Sequence, residues 1–362
     1  MAPPRIDQVI PSLASRDAIG GHVLQLRDLL RNRGFQSDIY YGNATADRLD
    51  YGYPIERLGD RSSPGRVLLY QLSIGSGVGD IFRDRSERKF VNYHNITPAD
   101  LLEPWIPAVG EEVRWGRAQL EALAPVTEFA VADSRFNEQE LIDAGYPATT
   151  TVPLLIDLEG FAGQPDPVLS ARLQAEQADG GTSLLFVGKV SPHKAQHDLV
   201  KALAAYRQLY DSKARLRLVG GAISEDYRVA VERFADELGL LDAVEIAGSV
   251  THEELIAYYA ATDVFVCLSN HEGFCVPLLE AMYHRVPIVA HTSTAVPETV
   301  DGAGLVLPEK SPALVAAAIN RVVTDDRLRA ALAQRASERV TSFSLERVRA
   351  SFASALESAY AA

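Results

Sequence analysis

The stretch LSNHEGFCVPLLEAM, residues 268–282, runs from the end of a buried strand through a polar break into a helix. The apolar run DVFVCLS that leads into it, residues 263–269, is typical of a strand covered on both faces. The break falls at residues 270–273, and Pro277 suits the first turn of the helix that follows. A buried strand followed directly by a helix is the repeating unit of a parallel sheet, so this stretch predicts an α/β fold.

The loop between this strand and helix carries groups that suit a polar ligand. The backbone N–H groups of Gly273, Phe274 and Cys275 would point beyond the strand end, where a helix N-terminus binds anions or sugar hydroxyls. Glu272 lies in the loop, and Glu280 lies about one turn inside the helix. Two carboxylates at this spacing can hold two hydroxyl-bearing parts of one extended ligand. A surface carboxylate and a helix-stabilising carboxylate would give the same pattern.

Alternation of strands and helices continues through both halves of the chain. The helical stretch HVLQLRDLLRNRG has Val23, Leu26 and Leu30 on one face and ends at Gly34. Apolar strands that alternate with helices indicate parallel sheets, and two such sheets give two Rossmann-like domains. The predicted strands are residues 7–13, 35–41, 67–72, 90–94, 128–133 and 150–156 in the first half, and SLLFVGKV, RLRLVGG, VEIAGS, DVFVCLS, PIVAHT and GLVLP in the second.

The boundary between the two predicted domains lies in residues 158–182. That region has little strand periodicity and carries Gly, Pro and Asp clusters at both ends. We therefore expect a first domain over residues 1–157, a linker over 158–182, a second domain over 183–343 and a C-terminal helix over 344–362. Open parallel sheets bind ligands at the carboxyl ends of their strands, so active-site residues should directly follow strands.

Composition and charge narrow the functional class. The 362-residue chain is 47% hydrophobic and 23% charged, near the globular average, and its length suits two domains. A net charge of −13 argues against nucleic-acid binding, which needs a basic face. No apolar run approaches the ~18 residues of a membrane span, and the N-terminal stretch lacks the pattern of a signal peptide. We therefore expect a cytoplasmic protein with no integral membrane segment.

The two cysteines give little support to metal chemistry. Cys267 and Cys275 cannot by themselves supply a four-ligand zinc site, and a cytosolic chain rarely keeps a disulfide. Cys267 lies in an apolar run and is typical of a small core residue. A catalytic thiol at Cys275 is the alternative that stays open.

The loop and helix residues carry a resemblance to a known family. Glu272 and Glu280, with Gly-Phe after the first and EAM at the second, resemble the E-x7-E signature of the retaining glycosyltransferases of family GT4, the glycosyl transferases group 1. The resemblance extends from about residue 10 to about residue 345. It implies the GT-B architecture, an α/β fold of two Rossmann-like domains facing each other across a cleft. The first would be the acceptor domain, the second would bind the nucleotide sugar, and the final helix could cross back to the first.

Further donor-binding residues are implied by similarity in the second half. The stretch FVGKVSPHKAQHDLVKA, residues 186–202, is similar to a segment where the family places two basic residues on the donor diphosphate. These residues are here Lys189 and Lys194. The first is more often Arg, so Lys189 departs from the pattern and would lose one fork-like contact. Two cations would stabilise the departing diphosphate without a metal ion. The loop of Ser249 and Val250 resembles the one whose backbone touches the nucleotide base.

Two motifs of the first half also resemble the family. SRDAIGGHVLQL, residues 15–26, is similar to its glycine loop, in which Gly20 and Gly21 would let the backbone approach the donor phosphates or the acceptor. VNYHNITP, residues 91–98, ends a strand at His94, where the family often carries a histidine near the transferred sugar. A GG pair also suits an ordinary turn, and a lone histidine is more often structural than catalytic.

The resemblance implies retaining transfer of a hexose from a nucleotide-diphosphate sugar to a hydroxyl of a saccharide or glycolipid. GDP-mannose is slightly favoured over UDP-glucose as the donor. Glu272 and His94 would act at the sugar and Glu280 at the ribose. We expect no cofactor and no metal, because the sequence lacks the D-x-D triplet with which metal-dependent transferases hold Mg²⁺ or Mn²⁺. The alternatives are a non-catalytic nucleotide-sugar-binding protein and a GT-B-like epimerase. A NAD-dependent dehydrogenase does not fit, because GGH at residues 20–22 departs from G-x-G-x-x-G.

Overall fold

The computed structural model describes residues 4–15, 17–59 and 65–362. The chain divides into two units, each with its own parallel sheet. The first unit comprises Met1–Glu103, Pro107–Asp157 and Phe343–Ala362, and the second comprises Pro104–Ile106 and Leu158–Ser342. Among the described residues, no helix combines the length and the apolar character that crossing a membrane requires.

A seven-stranded parallel sheet forms the centre of the first unit, in the order β3-β2-β1-β4-β5-β6-β7. The central strand Arg66–Leu72 is buried along its whole length, and its neighbour Arg88–Tyr93 is buried except at Arg88, as expected for a parallel sheet covered on both faces. The strands are β1 (Arg5–Leu13), β2 (Ile39–Ala44), β3 (Tyr53–Pro54), β4 (Arg66–Leu72), β5 (Arg88–Tyr93), β6 (Phe129–Ala132) and β7 (Thr149–Thr151). The helices that connect them are α1 (Ala18–Asn32), α2 (Gly77–Asp84), α3 (Pro107–Leu123) and α4 (Arg135–Asp143).

The second unit has a six-stranded parallel sheet in the order β10-β9-β8-β11-β12-β13. Its strands are β8 (Ser183–Val187), β9 (Arg215–Val219), β10 (Val244–Gly248), β11 (Val264–Cys267), β12 (Ile288–His291) and β13 (Gly304–Leu307). Its helices are α5 (Pro167–Ala178), α6 (Gln196–Leu209), α7 (Glu225–Glu237), α8 (His252–Ala260), α9 (Val276–Tyr283), α10 (Val296–Val300), α11 (Pro312–Thr324) and α12 (Asp326–Thr341). The strand order reverses between β8 and β11, which is where open parallel sheets bind ligands.

The predicted linker is wrong as a description of residues 158–182, because helix α5 lies within it and belongs to the second unit. Asp166 caps this helix by accepting a hydrogen bond from the N–H of Leu169 (2.7 Å). Only Leu173 of the helix is fully buried. Polar contacts attach the helix to the rest of the second unit instead, including an ion pair between Arg172 and Glu245 at 2.7 Å. A helix held in this way lacks the apolar periodicity that sequence analysis detects.

The C-terminal helix α13 (Leu345–Ala361) belongs to the first unit. Val348, Phe352 and Leu356, spaced to lie on one helix face, are buried in the apolar core that also contains Ile6 and Leu26. The helix is therefore part of the core of the first unit.

Two glycines bring the turns after β8 and β9 into contact. Gly188 and Gly220 have φ values of 150° and 143°, which side chains rarely adopt. A Cβ atom on Gly220 would lie 2.1 Å from the carbonyl oxygen of Gly188, and that backbone atom has no freedom to move away. The contact fixes the turn in which Lys189 follows Gly188.

Gly220→Ala should lower the free energy of unfolding by at least about 3 kcal/mol, because it adds a backbone clash to an unfavourable φ. The matched control is Gly239→Ala, since Gly239 has a φ of 66° with no atom within 4 Å of the added Cβ. The control should cost about 1–2 kcal/mol. Urea unfolding of both variants checks this difference, and equal losses would show that the close approach is not what requires glycine.

Candidate functional site

The carboxyl edge of the second sheet gathers most of the residues singled out from the sequence. Lys189 follows β8, Ser249 follows β10, and the loop with Glu272 follows β11. Ser249 lies beside the turn after β9, because a Cβ atom on Gly221 would be 2.7 Å from its hydroxyl oxygen. The turns after neighbouring parallel strands are adjacent in space, which is why residues far apart in sequence meet here.

Lys194 and Glu272 form the central ion pair of this edge. The Nζ atom of Lys194 donates to Oε2 of Glu272 at 2.6 Å. The Lys194 side chain is 19% exposed and that of Glu272 is 5% exposed. Lys194 ends a 3-10 turn, Pro192–Lys194, and Ala195 then takes a left-handed conformation before α6 begins. This turn directs the lysine back toward the loop after β11.

The ion pair determines the charge state of Lys194. Burial alone would lower the pKa of its ammonium group, but the neighbouring Glu272 carboxylate outweighs burial and raises that pKa above its usual value. Lys194 is therefore a fixed positive charge at neutral pH. A partly buried cation with one carboxylate partner is suited to exchange that partner for a more highly charged anion such as a diphosphate.

Thr294 holds the backbone of Glu272 in place. Its hydroxyl accepts from the N–H of Glu272 (2.8 Å) and donates to the carbonyl of the same residue (2.6 Å). Thr294 has a positive φ of 41°, uncommon for a β-branched residue, so the surrounding structure must stabilise this turn. Sequence reasoning did not identify Thr294, because its contact with Glu272 joins the turns after two neighbouring strands.

The backbone after Glu272 presents N–H groups at the start of α9. No hydrogen bond within the described residues uses the N–H of Gly273 or Cys275. Cys275 is in the left-handed region with φ of 70° and precedes the first helical residue. The Thr299 hydroxyl fixes this segment by donating to the carbonyl of Phe274 (2.7 Å). Free amides at a rigid helix start suit an anion or a set of hydroxyls.

The remaining donor-binding candidates differ in exposure. Lys189 and Ser249 are exposed, and Val250 is half-buried. Lys189 makes no ion pair with the part of the chain that the structure describes, so its charge is available to an incoming anion. Glu280 is half-buried in α9 and accepts a hydrogen bond from the Tyr259 hydroxyl (2.7 Å). Burial raises the pKa of the Glu280 carboxyl, and the Tyr259 hydrogen bond acts in the opposite direction.

Lys310 is a further cation at this edge that the sequence did not reveal. Its Nζ atom forms an ion pair with Asp198 at 2.6 Å and donates to the carbonyl of Leu268 at 3.2 Å. It also donates to the Asn270 side chain, at the break after β11. Lys310 follows β13 without any motif around it, so only the three-dimensional structure connects it with this loop.

The glycines of the first unit are not in the predicted loop. Gly20 and Gly21 both lie in the first turns of α1, which begins at Ala18. A Cβ on Gly20 would lie 2.4 Å from the carbonyl oxygen of Ala14, so this glycine permits close packing of the helix on the end of β1. The N–H of Gly21 already donates to the carbonyl of Asp17 (3.1 Å). The prediction of a glycine loop at these residues is therefore wrong.

His94 lies directly after β5 and is enclosed by polar neighbours. Its Nδ1 atom is 2.8 Å from Oδ2 of Asp133, and its Nε2 atom is 2.6 Å from Oε1 of Gln71. Its side chain is 1% exposed, so both ring nitrogens face protein atoms. The partners come from the ends of the two strands that flank β5, and sequence analysis identified neither Gln71 nor Asp133.

A chain of side-chain amides determines which atom of Gln71 faces His94. The Gln8 amide donates to the carbonyl of Val23 (2.9 Å), and its oxygen accepts from the Gln71 amide (2.8 Å). The oxygen of Gln71 is then left to accept from His94, so Nε2 of His94 carries a proton. Burial raises the pKa of Asp133, although the nearby His94 acts against this. The 2.8 Å contact between Oδ2 of Asp133 and Nδ1 of His94 is the hydrogen bond that offsets this burial.

His22 packs edge-on against His94, with ring centroids 5.3 Å apart, and is kept neutral. Burial lowers its pKa well below the usual 6.5, and the nearby His94 lowers it further. The N–H of Leu155 donates to Nδ1 of His22 at 3.0 Å, which requires that nitrogen to be unprotonated. A protonated His22 would lose this hydrogen bond inside the core.

His22→Gln should reduce the loss of stability on acidification. In the unfolded chain His22 takes up a proton near pH 6.5, whereas in the folded protein it stays neutral. The free energy of unfolding is therefore largest above that pH and decreases as the pH is lowered. One such group contributes a slope of up to about 1.4 kcal/mol per pH unit. Urea unfolding at pH 7 and pH 5 should show a smaller decrease for His22→Gln than for wild type. The exposed His252, changed to Gln, is the control. Equal pH dependence in all three proteins would contradict a neutral, buried His22.

Comparisons with known proteins agree with this architecture. Residues 172–339 match the family described as Glycosyl transferases group 1. The chain is 34% identical over 231 residues to a D-inositol 3-phosphate glycosyltransferase of Kineococcus radiotolerans, covering 59% of this chain and 53% of that protein. It is 30% identical over 233 residues to a GDP-mannose-dependent alpha-(1-6)-phosphatidylinositol monomannoside mannosyltransferase of Mycobacterium tuberculosis, covering 60% and 59%. The chain thus spans little more than half the length of these curated relatives.

Solved structures share the fold across nearly the whole chain. The Anabaena HepE structure in complex with UDP and glucose has a TM-score of 0.77 at 17% identity and covers 98% of this chain and 100% of its own. Sucrose-phosphate synthase from Thermosynechococcus elongatus has a TM-score of 0.76 at 19% identity and covers 99% of both chains. These similarities and the two parallel sheets confirm the predicted α/β architecture of the GT-B type.

Proposed function

We propose that this chain, of which residues 172–339 match the glycosyl transferases group 1 family, is a retaining, metal-independent hexosyltransferase of that family. It takes mannose or glucose from a nucleotide-diphosphate sugar and transfers it to a hydroxyl group of a saccharide or glycolipid. The observation that carries this proposal is the Lys194–Glu272 ion pair at the carboxyl edge of the second sheet.

In this proposal the diphosphate of the donor replaces Glu272 as the partner of Lys194. A diphosphate leaving group gains negative charge as the bond to the sugar breaks, and preformed cations stabilise that charge without reorganising. Lys194 supplies one cation, and the exposed Lys189 supplies the second. The released carboxylate of Glu272 then accepts hydrogen bonds from the sugar hydroxyls.

The remaining groups at this edge bind the sugar and the ribose of the donor. The N–H groups of Gly273, Phe274 and Cys275 hold sugar hydroxyls at the start of α9. Glu280 accepts from the ribose hydroxyls, and its hydrogen bond with Tyr259 orients its carboxyl group.

The base of the nucleotide contacts the backbone of Ser249 and Val250, in the turn after β10. The relative from M. tuberculosis is described as GDP-mannose-dependent, and this supports GDP-mannose as the donor. The HepE structure holds UDP and glucose, so UDP-glucose is the second donor to test. Both relatives named above have an inositol-bearing compound in their names, which supports a polyol or glycolipid acceptor.

The first unit contributes residues whose roles stay predictions from the sequence. His94 can act at the sugar by donating from Nε2 if a sugar hydroxyl takes the place of Gln71. Gly20 lies at the start of α1, where its N–H belongs to the first helical turn and is suited to an anion or a hydroxyl.

A thermal-shift panel of GDP, UDP, ADP, dTDP and NAD, each with and without EDTA, tests this proposal. A ligand at one hundred times its Kd stabilises the folded protein by about 2.7 kcal/mol, which raises Tm visibly. We expect one nucleoside diphosphate to give the largest shift and EDTA to leave that shift unchanged. A response to NAD alone, or to no nucleotide, would overturn the proposal. Binding without turnover of the matching nucleotide sugar would favour the non-catalytic binding protein.

A further inference from the structure

Three metal-ligating side chains meet beside the Lys194–Glu272 ion pair. Cys267, Glu272 and Cys275 each offer one ligand atom, and these atoms all lie within 4.8 Å of one another. All three residues are buried. Among the residues that the structure describes, this is the only group of three or more such side chains. Both cysteines are free thiols.

The local fold explains why these side chains converge. Cys267 is the last residue of β11, and Cys275 immediately precedes α9. The left-handed backbone at Cys275, with φ of 70°, reverses the chain so that the loop returns to the end of the strand. Thr294 fixes the backbone of Glu272, and Thr299 fixes that of Phe274. The donor atoms are therefore arranged by the backbone before any ion arrives.

The spacing and the atom types suit a small thiophilic cation. Two sulfur ligands at about 2.3 Å from one tetrahedral zinc ion lie about 3.8 Å apart, which is compatible with ligand atoms that all lie within 4.8 Å of one another. Thiolates select soft or borderline ions such as Zn²⁺, whereas Mg²⁺ prefers oxygen ligands. The hydroxyl oxygen of Ser269 is 3.5 Å from the sulfur of Cys267 and offers a fourth ligand.

The charges around the three side chains balance when a divalent ion is bound and both thiols are deprotonated. The pocket already holds one cation, because Nζ of Lys194 lies 2.6 Å from Glu272. With a divalent ion bound, two thiolates, one carboxylate and the ion together carry a single negative charge, which the ammonium group of Lys194 compensates.

We propose that Cys267, Cys275 and Glu272 form a binding site for Zn²⁺ or a similar thiophilic divalent cation. Each coordinating thiol releases one proton, and the ion gains two thiolate ligands and one carboxylate ligand, with Ser269 or water completing a tetrahedron. No electron is transferred. Occupation of the site draws Glu272 away from Lys194 and from any bound sugar.

The regulatory part of this inference rests on the proposed function. If Glu272 holds the transferred sugar, an ion that coordinates Glu272 inhibits transfer. Micromolar Zn²⁺ should then suppress turnover, and a chelator should restore it. The binding part does not depend on catalysis, because it is measured on the protein without any substrate.

Cobalt substitution of the reduced, full-length protein tests binding directly. Titration with Co²⁺ should produce thiolate-to-cobalt charge-transfer absorption and the visible bands of tetrahedral cobalt. Zn²⁺ should then displace the cobalt and abolish both, and proton release can be followed with a pH indicator. Mg²⁺ at the same concentration should displace nothing. Absence of the charge-transfer absorption, or its loss on adding Mg²⁺, would overturn the proposal.

Single substitutions identify which side chains bind the ion. Cys267→Ala and Cys275→Ala should each abolish the charge-transfer absorption, and Glu272→Gln should weaken Zn²⁺ binding at least about tenfold. Melting curves recorded with a chelator show whether each variant is folded. If an alanine variant does not fold, the Glu272→Gln result decides the question, because that change keeps both thiols. Unchanged Zn²⁺ affinity in folded Cys267→Ala or in Glu272→Gln would contradict the site.

The inhibition test has a different consequence. If cobalt binds as expected but Zn²⁺ does not inhibit turnover, Glu272 does not hold the transferred sugar.

Discussion

Glu272→Gln should lower turnover about 100- to 1,000-fold without weakening the binding of the nucleoside diphosphate. The carboxylate is the only negative charge paired with Lys194 in the described structure, and in our proposal it holds the sugar hydroxyls during transfer. A glutamine keeps the size and one acceptor oxygen but lacks the charge that strengthens these hydrogen bonds. The diphosphate contacts involve Lys189 and Lys194, so the substitution leaves them in place. Removing the carboxylate also frees Lys194 for the diphosphate.

The measurement pairs initial rates of nucleotide release with calorimetric titration of the nucleoside diphosphate. Glu237→Gln is the matched control, because Glu237 is an exposed carboxylate at the end of α7 in the same unit. The control should behave as wild type in both experiments. Normal turnover by Glu272→Gln would contradict a role for this carboxylate at the sugar, and a large loss of nucleotide affinity would place it at the diphosphate instead.

Lys194→Met should have the second largest effect, weakening nucleoside diphosphate binding about 10- to 100-fold. A hydrogen bond between two charged groups contributes about 1.5–3 kcal/mol, and methionine preserves the length of the side chain without the charge. The same change leaves Glu272 buried without its partner. Removal of one member of a buried ion pair costs about 3 kcal/mol or more, so the variant should also unfold more easily.

Two companion variants separate these effects. Lys201→Met removes a lysine of the adjacent helix α6 that pairs with Asp198, and it should leave nucleotide affinity near that of wild type. The double variant Lys194→Met/Glu272→Gln should lose less stability than the sum of the single changes, because no uncompensated charge is left. Additive stability losses, or unchanged nucleotide affinity in Lys194→Met, would show that the ion pair is not the diphosphate-binding element.

Local sequence signals predicted the fold well where a strand and a helix each carry their own pattern. The apolar run before residue 268 is β11, and Pro277 lies in the first turn of α9. The predicted strands at residues 67–72 and 183–190 likewise correspond to β4 and β8. In each case the signal is hydrophobic periodicity, Pro or Gly within a few neighbouring residues, and such local signals can be detected in a single sequence.

Contacts between distant segments could not be predicted in the same way. Lys194 and Glu272 are 78 residues apart, and the resemblance named both without indicating that they touch. His94 was found because it ends a strand, but Gln71 and Asp133 were not, since their contact depends on the order of the strands in the sheet. Gly20 and Gly21 were placed in a loop because residues 15–26 resemble the glycine loop of the family, yet close packing against Ala14 accounts for Gly20 within α1.

The most direct test of hexosyl transfer with retention is proton NMR of the protein incubated with GDP-mannose or UDP-glucose. D-inositol 3-phosphate and methyl α-mannoside serve as acceptor probes, in the presence of EDTA. We expect the signals of one donor to decline as its nucleoside diphosphate appears. A new glycoside signal should show the same anomeric configuration that the sugar has in the donor. Formation of the opposite anomer, or a bound donor that stays unchanged with both acceptors, would contradict the account.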